Sequence, residues 1–231
     1  MCGRYSLTPA DLDRAIEERF GAVPVFSKWH PRYNAAPTQT LPVILNEDPR
    51  SVELAEWGLV PRWDPKRRLI NAKAETVATK FRRAFEERRC LVPADSFYEW
   101  VTVKRVKTPQ CFVLEPPGLF AFAGLWETDP TGGPAGDSTV LRFSIITTEA
   151  NDLVRGIHAR MPVILSRDAE ETWLFGSSVD AQRALVPYPH TSMRTFPVSR
   201  RLNSPSHDDP TVLEPDPIQS IGFIDGTLGA T

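Results

Sequence analysis

The sequence of 231 residues predicts a mixed α+β domain with a β-rich body, and three observations predict it. Hydrophobic residues make up 41% of the chain, enough to bury a core as one domain or two small ones. The 22 prolines and 13 glycines divide it into short elements joined by many turns. Strand-like stretches recur between residues 41 and 147, whereas helical periodicity is confined to a few short segments. No apolar run reaches 18 residues, and no basic segment followed by an apolar one opens the chain. Neither a membrane span nor a signal peptide is therefore expected.

Thr8-Pro9-Ala10-Asp11 reads as a helix start, with Thr8 as N-cap and proline at N1. Leu12, Ile16 and Phe20 follow at four-residue spacing on a core-facing side, and Gly21 ends the helix. Residues 29–40 read as a loop rich in proline and asparagine. Strands are expected at 41–46 and 52–57, separated by the turn-like Glu47-Asp48-Pro49-Arg50. A helix after Thr76 places Val77, Phe81 and Phe85 on one face and Lys80, Arg82, Arg83 and Arg89 on the other. Further strands are expected at 90–93, 96–103, 110–114, 119–126, 140–147, 163–165 and 193–199, with short helices at 151–157, 170–175 and 180–185. Within 96–103, alternation puts Tyr98 and Trp100 on one face and Glu99 on the other, where a solvated carboxylate is the ordinary outcome. Residues 129–138 form a Gly/Pro loop, and residues 203–231 read as an acidic, Pro-rich, poorly ordered tail.

Cys2, Cys90 and Cys111 are widely spaced and odd in number, without a CxxC pair. This argues against a disulfide framework and a zinc site, and fits a reducing cytoplasm. No metal-ligand cluster and no Gly-rich phosphate loop is visible, so no metal or cofactor is expected. Charge is unevenly placed: residues 62–89 hold ten Lys/Arg against four Asp/Glu, and residues after Leu202 hold five Asp/Glu and no Lys/Arg. A basic middle suits a polyanion-binding face, although solvated helix faces give the same count. Trp57 and Trp63 flank its start, where Trp57 fits a core and Trp63, between Arg62 and Asp64, fits a surface able to stack on unpaired bases.

Cys2 is small enough for Met1 to be trimmed, which would leave an α-amine and a thiol on one residue. A 1,2-aminothiol condenses with an aldehyde to a Schiff base, after which the thiol closes a thiazolidine ring. The two groups titrate at roughly 7.7–8.0 and about 8.5, so a neighbouring base suffices to activate either. Many chains begin Met-Cys for no chemical reason, and the pair alone carries little. A carboxylate at Glu99 and an imidazole at His158 supply the proton transfers such chemistry needs, and Asn71 supplies a hydrogen-bonding amide. Spacing does not show that these residues converge.

The chain resembles the SOS-response-associated peptidase (SRAP) family of abasic-site processing proteins. The matching motifs, in family order, are Met1-Cys2-Gly3-Arg4, Tyr33-Asn34-Ala35-Ala36-Pro37-Thr38, Trp57-Gly58-Leu59-Val60-Pro61, Asn71-Ala72-Lys73-Ala74-Glu75-Thr76, Arg89-Cys90-Leu91-Val92-Pro93-Ala94, Phe97-Tyr98-Glu99-Trp100, Ala123-Gly124-Leu125-Trp126 and His158-Ala159-Arg160-Met161-Pro162. The resemblance covers about residues 2–200, and residues 2–202 are taken as the SRAP-like domain. The resemblance implies a barrel-like core of packed, mainly antiparallel sheets with peripheral helices. It implies Cys2 as the nucleophile after Met1 removal, Asn71 as a positioning residue, and Glu99 and His158 as proton-transfer groups. Arg4, Asn34, Pro37, Trp63, Lys73, Thr147 and Arg160 match positions lining the family's DNA cleft. Lys73 stands where arginine is frequent, keeping the charge and losing the bidentate fork. Ala159 stands where an acid is often found.

The implied function is covalent capture of abasic sites in single-stranded DNA by a cytoplasmic monomer, nucleoid-associated when bound, with weak lyase activity as a side path. Two rival classes remain open. One is a self-processing N-terminal-nucleophile peptidase, for which removal of Met1 is the minimal reaction. The other is a non-catalytic module for single-stranded nucleic acid, in which Cys2 is incidental.

Overall fold

Strand alternation decides the architecture. The structure, a computed structural model, describes residues 2–61, 64–103, 105–129 and 139–215. In chain order the elements begin with β1 (Tyr5–Leu7), α1 (Leu12–Phe20), β2 (Val23–Pro24), β3 (Arg32–Ala35), β4 (Thr40–Leu45), β5 (Ser51–Trp57) and β6 (Asn71–Lys73). Then follow α2 (Val77–Lys80), α3 (Arg82–Glu87), β7 (Arg89–Ala94), β8 (Ser96–Val103), β9 (Val106–Leu114), β10 (Phe120–Asp129) and β11 (Val140–Glu149). The last are α4 (Asp152–Arg155), β12 (Arg160–Pro162), β13 (Ile164–Leu165), α5 (Arg167–Phe175), α6 (Ser178–Arg183) and β14 (Met193–Pro197). Short 3-10 turns cover His190–Ser192, Arg200–Asn203 and Pro210–Leu213.

Strands β11, β10, β7, β4 and β5 pair in that order, and β5 returns to pair with β11, closing a five-stranded barrel. The closing pair is parallel, as are β2–β5 and β6–β11, while all other ladders are antiparallel. A separate five-stranded sheet runs β14-β9-β8-β1-β3. The barrel-like, mainly antiparallel core with peripheral helices is therefore observed.

Period-two alternation splits the core. Val43, Val92, Phe122 and Ile145 face one cluster, together with Tyr5, Phe97 and Phe112 of the second sheet. Their neighbours Ile44, Leu91, Ala121 and Ile146 face the other, with helix residues Leu12, Ile16, Phe85 and Trp173. Both faces of these strands are buried, which explains their near-continuous apolar sequence. Gly124 is required for packing: a Cβ there would meet Cys90 Sγ at 2.7 Å and Val92 Cγ2 at 2.9 Å. Trp57 is a core residue as expected, stacked 6.1 Å from Phe143 with its indole N–H donated to Ile70 O at 2.9 Å.

Several boundaries differ from expectation. Helix α1 is capped by Asp11, whose side chain accepts from Arg14 N at 3.2 Å. Thr8 is drawn away by Asp95, which accepts from both its N–H and its hydroxyl at 2.6 Å. Residues 32–35, expected as loop, pair with β1, and 71–73 form a short strand, because a sheet edge rather than local composition recruits them. The single helix after Thr76 is two, broken at Phe81 (φ −124°), with Phe85 buried. Residues 203–215 were expected to begin a poorly ordered tail, yet Val212 is buried with Leu202 and Val198. Asp208 explains why: its carboxylate accepts from the N–H groups of Tyr33 and Asn34 at 2.6 and 2.8 Å and pairs with Arg32 at 2.5 Å. The acidic segment thus covers the exposed edge of β3. Residues 216–231 lie outside the described residues.

Candidate active site

The register of β1 with β8 sets Cys2 and Glu99 side by side. Tyr5 lies opposite Phe97, and Tyr98 N donates to Arg4 O at 3.1 Å. Continued by two residues, this antiparallel register places Gly3 across from Glu99. Cys2 is fully buried in the cluster that holds Tyr5 and Ile145, and its thiol donates toward Arg4 O at 3.9 Å. Burial pushes the Cys2 thiol far above the ordinary thiol range, and the negative charge of Glu99 pushes it further. Glu99 is only 4% exposed, so the solvated carboxylate expected from alternation is replaced by a buried one. Burial raises its carboxyl above the usual carboxylate range, opposed by the positive amino terminus and by His158. Cys2, Glu99 and His158 therefore share one electrostatic neighbourhood. Tyr98 and Trp100, by contrast, share the opposite face, as alternation requires.

His158 is delivered by a capped turn. Asn151 Oδ1 accepts from Val154 N at 3.0 Å to start α4, and His158 N donates to Val154 O at 2.9 Å as the chain leaves it. Arg160 N donates to His158 Nδ1 at 3.0 Å, and Arg160 O lies 3.0 Å from the same nitrogen. A backbone N–H can only donate, so the neutral ring carries its proton on Nε2. When the ring is protonated, Nδ1–H finds the Arg160 carbonyl instead. Both protonation states are held in one orientation.

Asn71 opens β6, parallel to β11 and opposite Ile145, a member of the cluster around Cys2. Its Nδ2 donates to Ile145 O at 3.5 Å, while its Oδ1 is buried and accepts no hydrogen bond among the described residues. An unsatisfied buried acceptor of this kind costs about 1–3 kcal/mol.

The residues expected to line a DNA cleft fall into two layers. Asn34 is fully buried: its Oδ1 accepts from Arg4 at 2.7 Å, and its Nδ2 is shared among the carbonyls of Leu202, Ser204 and His207. Thr147 is fully buried too, with its Oγ1 3.4 Å from Ala72 O and 3.3 Å from Arg160. Neither side chain reaches the surface; each holds an arginine that does. Asn34 and Thr147, expected to line the cleft, thus lie beneath Arg4 and Arg160 in the free protein. Arg4 and Pro37 are half-buried and Lys73 is exposed. Arg160 is paired with Glu75. Trp63 lies outside the described residues.

Beside Asn71 a groove of about 520 Å³ is lined by Arg67, Arg68, Lys73, Thr76, Lys80 and Phe81. Phe81 and Lys80 also line the adjoining groove, which carries the cations on through Arg82 and Arg83. The charge count of the sequence anticipated this face. It did not anticipate Lys107, which the β8–β9 hairpin brings beside Trp100, its Nζ 5.1 Å from the ring centroid, with Arg4 on the same ring at 5.7 Å. Only strand pairing carries that information. Among the described residues no His/Cys/Asp/Glu group suits a metal ion, and no helix is long and apolar enough to cross a membrane.

Comparison with known proteins adds the following. A family model described as SOS response associated peptidase (SRAP) matches residues 1–205. Abasic site processing protein YoqW of Bacillus subtilis is 39% identical over 93% of this chain and 99% of its own. Abasic site processing protein HMCES of Gallus gallus is 31% identical over 93% of this chain and 78% of its own. The crystal structure of a protein from Bacteroides thetaiotaomicron superposes with a TM-score of 0.78 at 25% identity, covering 93% of this chain and all of that one.

Proposed function

The chain belongs to the SOS response associated peptidase family, and we propose that it captures abasic sites in single-stranded DNA through Cys2 once Met1 is removed. The observation that carries this reading is the buried neighbourhood of Cys2, Glu99 and His158 beside the Asn71 acceptor and the cation-lined groove.

An abasic sugar equilibrates with its ring-opened aldehyde, and His158 in its protonated form assists opening by giving a proton to the ring oxygen. Glu99 takes a proton from the α-ammonium of Cys2. The amine adds to the aldehyde, and loss of one water leaves an imine. The thiol then adds across the C=N bond, carbon–sulfur bond and N–H forming together in balance, to close the thiazolidine. The amine acts first, because ring closure needs the C=N bond to which the thiol adds. Asn71 Oδ1 accepts from the amine or from the substrate hydroxyl. The imine also permits β-elimination, giving weak lyase activity, and the same Glu99 and His158 serve removal of Met1. With no base to read at the lesion, recognition rests on phosphates and stacking, so binding is salt-sensitive and largely sequence-independent.

The test is a denaturing gel of the protein with a single-stranded oligonucleotide carrying one abasic site, with Met1 removal checked by mass spectrometry. A shifted band is expected that needs both Cys2 and the lesion. No band from protein lacking Met1 sinks the reading and favours the peptidase alternative. A DNA complex indifferent to Cys2→Ala favours a plain binding module.

A further inference from the structure

Arg160 and Glu75 form a two-point ion pair, Nη1 to Oε1 at 2.5 Å and Nη2 to Oε2 at 3.0 Å. Their settings differ. The Arg160 side chain is 17% exposed and anchored from behind, its Nη2 donating to Thr147 O at 2.5 Å. The Glu75 side chain is 46% exposed, and its carboxylate is held by Arg160 and by its own backbone N–H, with no other element anchoring it among the described hydrogen bonds. Arg160 is thus a rigid fork and Glu75 a movable occupant. Lys73, the last residue of β6 and two residues before Glu75 in the turn that follows, is exposed, and the cation-lined groove begins at Asn71 and Lys73. On the other side, the Arg160 backbone holds His158. The fork therefore stands between the proton-transfer histidine and the groove, already filled by a carboxylate of this chain.

We infer that Glu75 is an internal stand-in for a DNA phosphate: it occupies the Arg160 fork in the free protein and is displaced when a backbone phosphate enters. The inference rests on the DNA-capture reading above. A carboxylate offers a guanidinium two oxygens at the spacing that phosphate also presents, so the exchange leaves the fork unmoved. Two consequences follow. The fork is never left unpaired, which keeps it from collapsing onto other acids. Every DNA strand must also compete with Glu75 for it, which lowers affinity for intact DNA and leaves discrimination to the covalent step.

The experiment measures binding of an intact fluorescent single-stranded oligonucleotide by anisotropy, in a Cys2→Ala background, for Glu75→Gln, Arg160→Met and the double variant. A half-exposed pair is worth up to about 1 kcal/mol, so Glu75→Gln is expected to tighten binding by about two- to five-fold. The gain should vanish when Arg160 is already methionine. An equal gain in both backgrounds would mean mere removal of a negative charge, and the inference falls. Unchanged or weaker binding by a folded Glu75→Gln protein, checked by its melting temperature, also overturns it. Arg160→Lys serves if Arg160→Met does not fold, since lysine keeps the charge without the fork and should retain less than half of the gain. Should the parent protein bind no DNA at all, the capture reading itself fails, a result distinct from the other two.

Discussion

The pocket around Cys2 and the groove along Arg67, Lys73 and Lys80 are neighbours built on opposite principles. In the pocket, the thiol and the carboxylate are withdrawn from water, and both are pushed toward their neutral forms. In the groove, exposed cations keep their charge in solvent and their fields are screened by salt. Burial makes a proton-transfer group adjustable, because a small change in surroundings moves it between acid and base. Exposure makes a phosphate-binding group fast and tolerant of sequence, at low worth per contact. The two regions should therefore fail differently when altered, one in rate and the other in salt-dependent affinity.

The largest expected effect separates them in both rate and stability. Glu99→Gln should slow covalent capture about 10²- to 10⁴-fold, as loss of a general base does, with DNA affinity nearly unchanged. In the parent protein, capture should rise with pH as Glu99 ionises, and this limb should disappear in the variant. Stability should move the other way. The folded carboxyl titrates above its unfolded value because it is buried, so its contribution is fully present in acid and is lost as pH rises through the folded value. Glu99→Gln should thus melt higher than the parent at neutral pH, and the gap should close in acid. A variant that melts lower at every pH would show that Glu99 is structural, and the contrast between the two regions would break.

How much of this was legible in the chain depends on whether the information is local. The barrel strands were readable because apolar runs such as 90–94 and 120–126 announce burial on both faces. The basic groove was readable as a charge count. Glu99 as a buried group was not, since alternation says which face a side chain takes and not whether that face is covered. Asn34 shows the same limit: its motif is plain in sequence, but its role depends on carbonyls about 170 residues away. The contacts of the strap at 203–215 are not legible, because acids and prolines usually mark disorder and the edge N–H groups that Asp208 satisfies are invisible in composition.

A middle-sized effect tests that strap. Asn34→Ala removes an acceptor for Arg4 and a donor to three carbonyls, leaving buried groups unsatisfied, at a cost of about 1–3 kcal/mol. Its melting temperature should fall by several degrees. Loss of DNA affinity without loss of stability would instead put Asn34 among the contacting residues.

The smallest effect is the most diagnostic of the groove. Lys80 lines two adjoining grooves and is exposed, so Lys80→Ala removes charge with little loss of packing. Each phosphate contact with single-stranded DNA contributes roughly 0.7 to the slope of log K against log salt. Lys80→Ala should flatten that slope by about this amount, and adding Arg67→Ala should flatten it again by a similar step. The rate of capture at saturating DNA should stay within about two-fold of the parent, because the chemistry sits in the desolvated pocket and not in the screened groove. A fall in the saturated rate as large as that of Glu99→Gln would mean that groove charges tune the pocket directly. An unchanged slope would remove Lys80 and Arg67 from the path of the strand and leave Arg4, Lys107 and Trp100 as the surface that binds it.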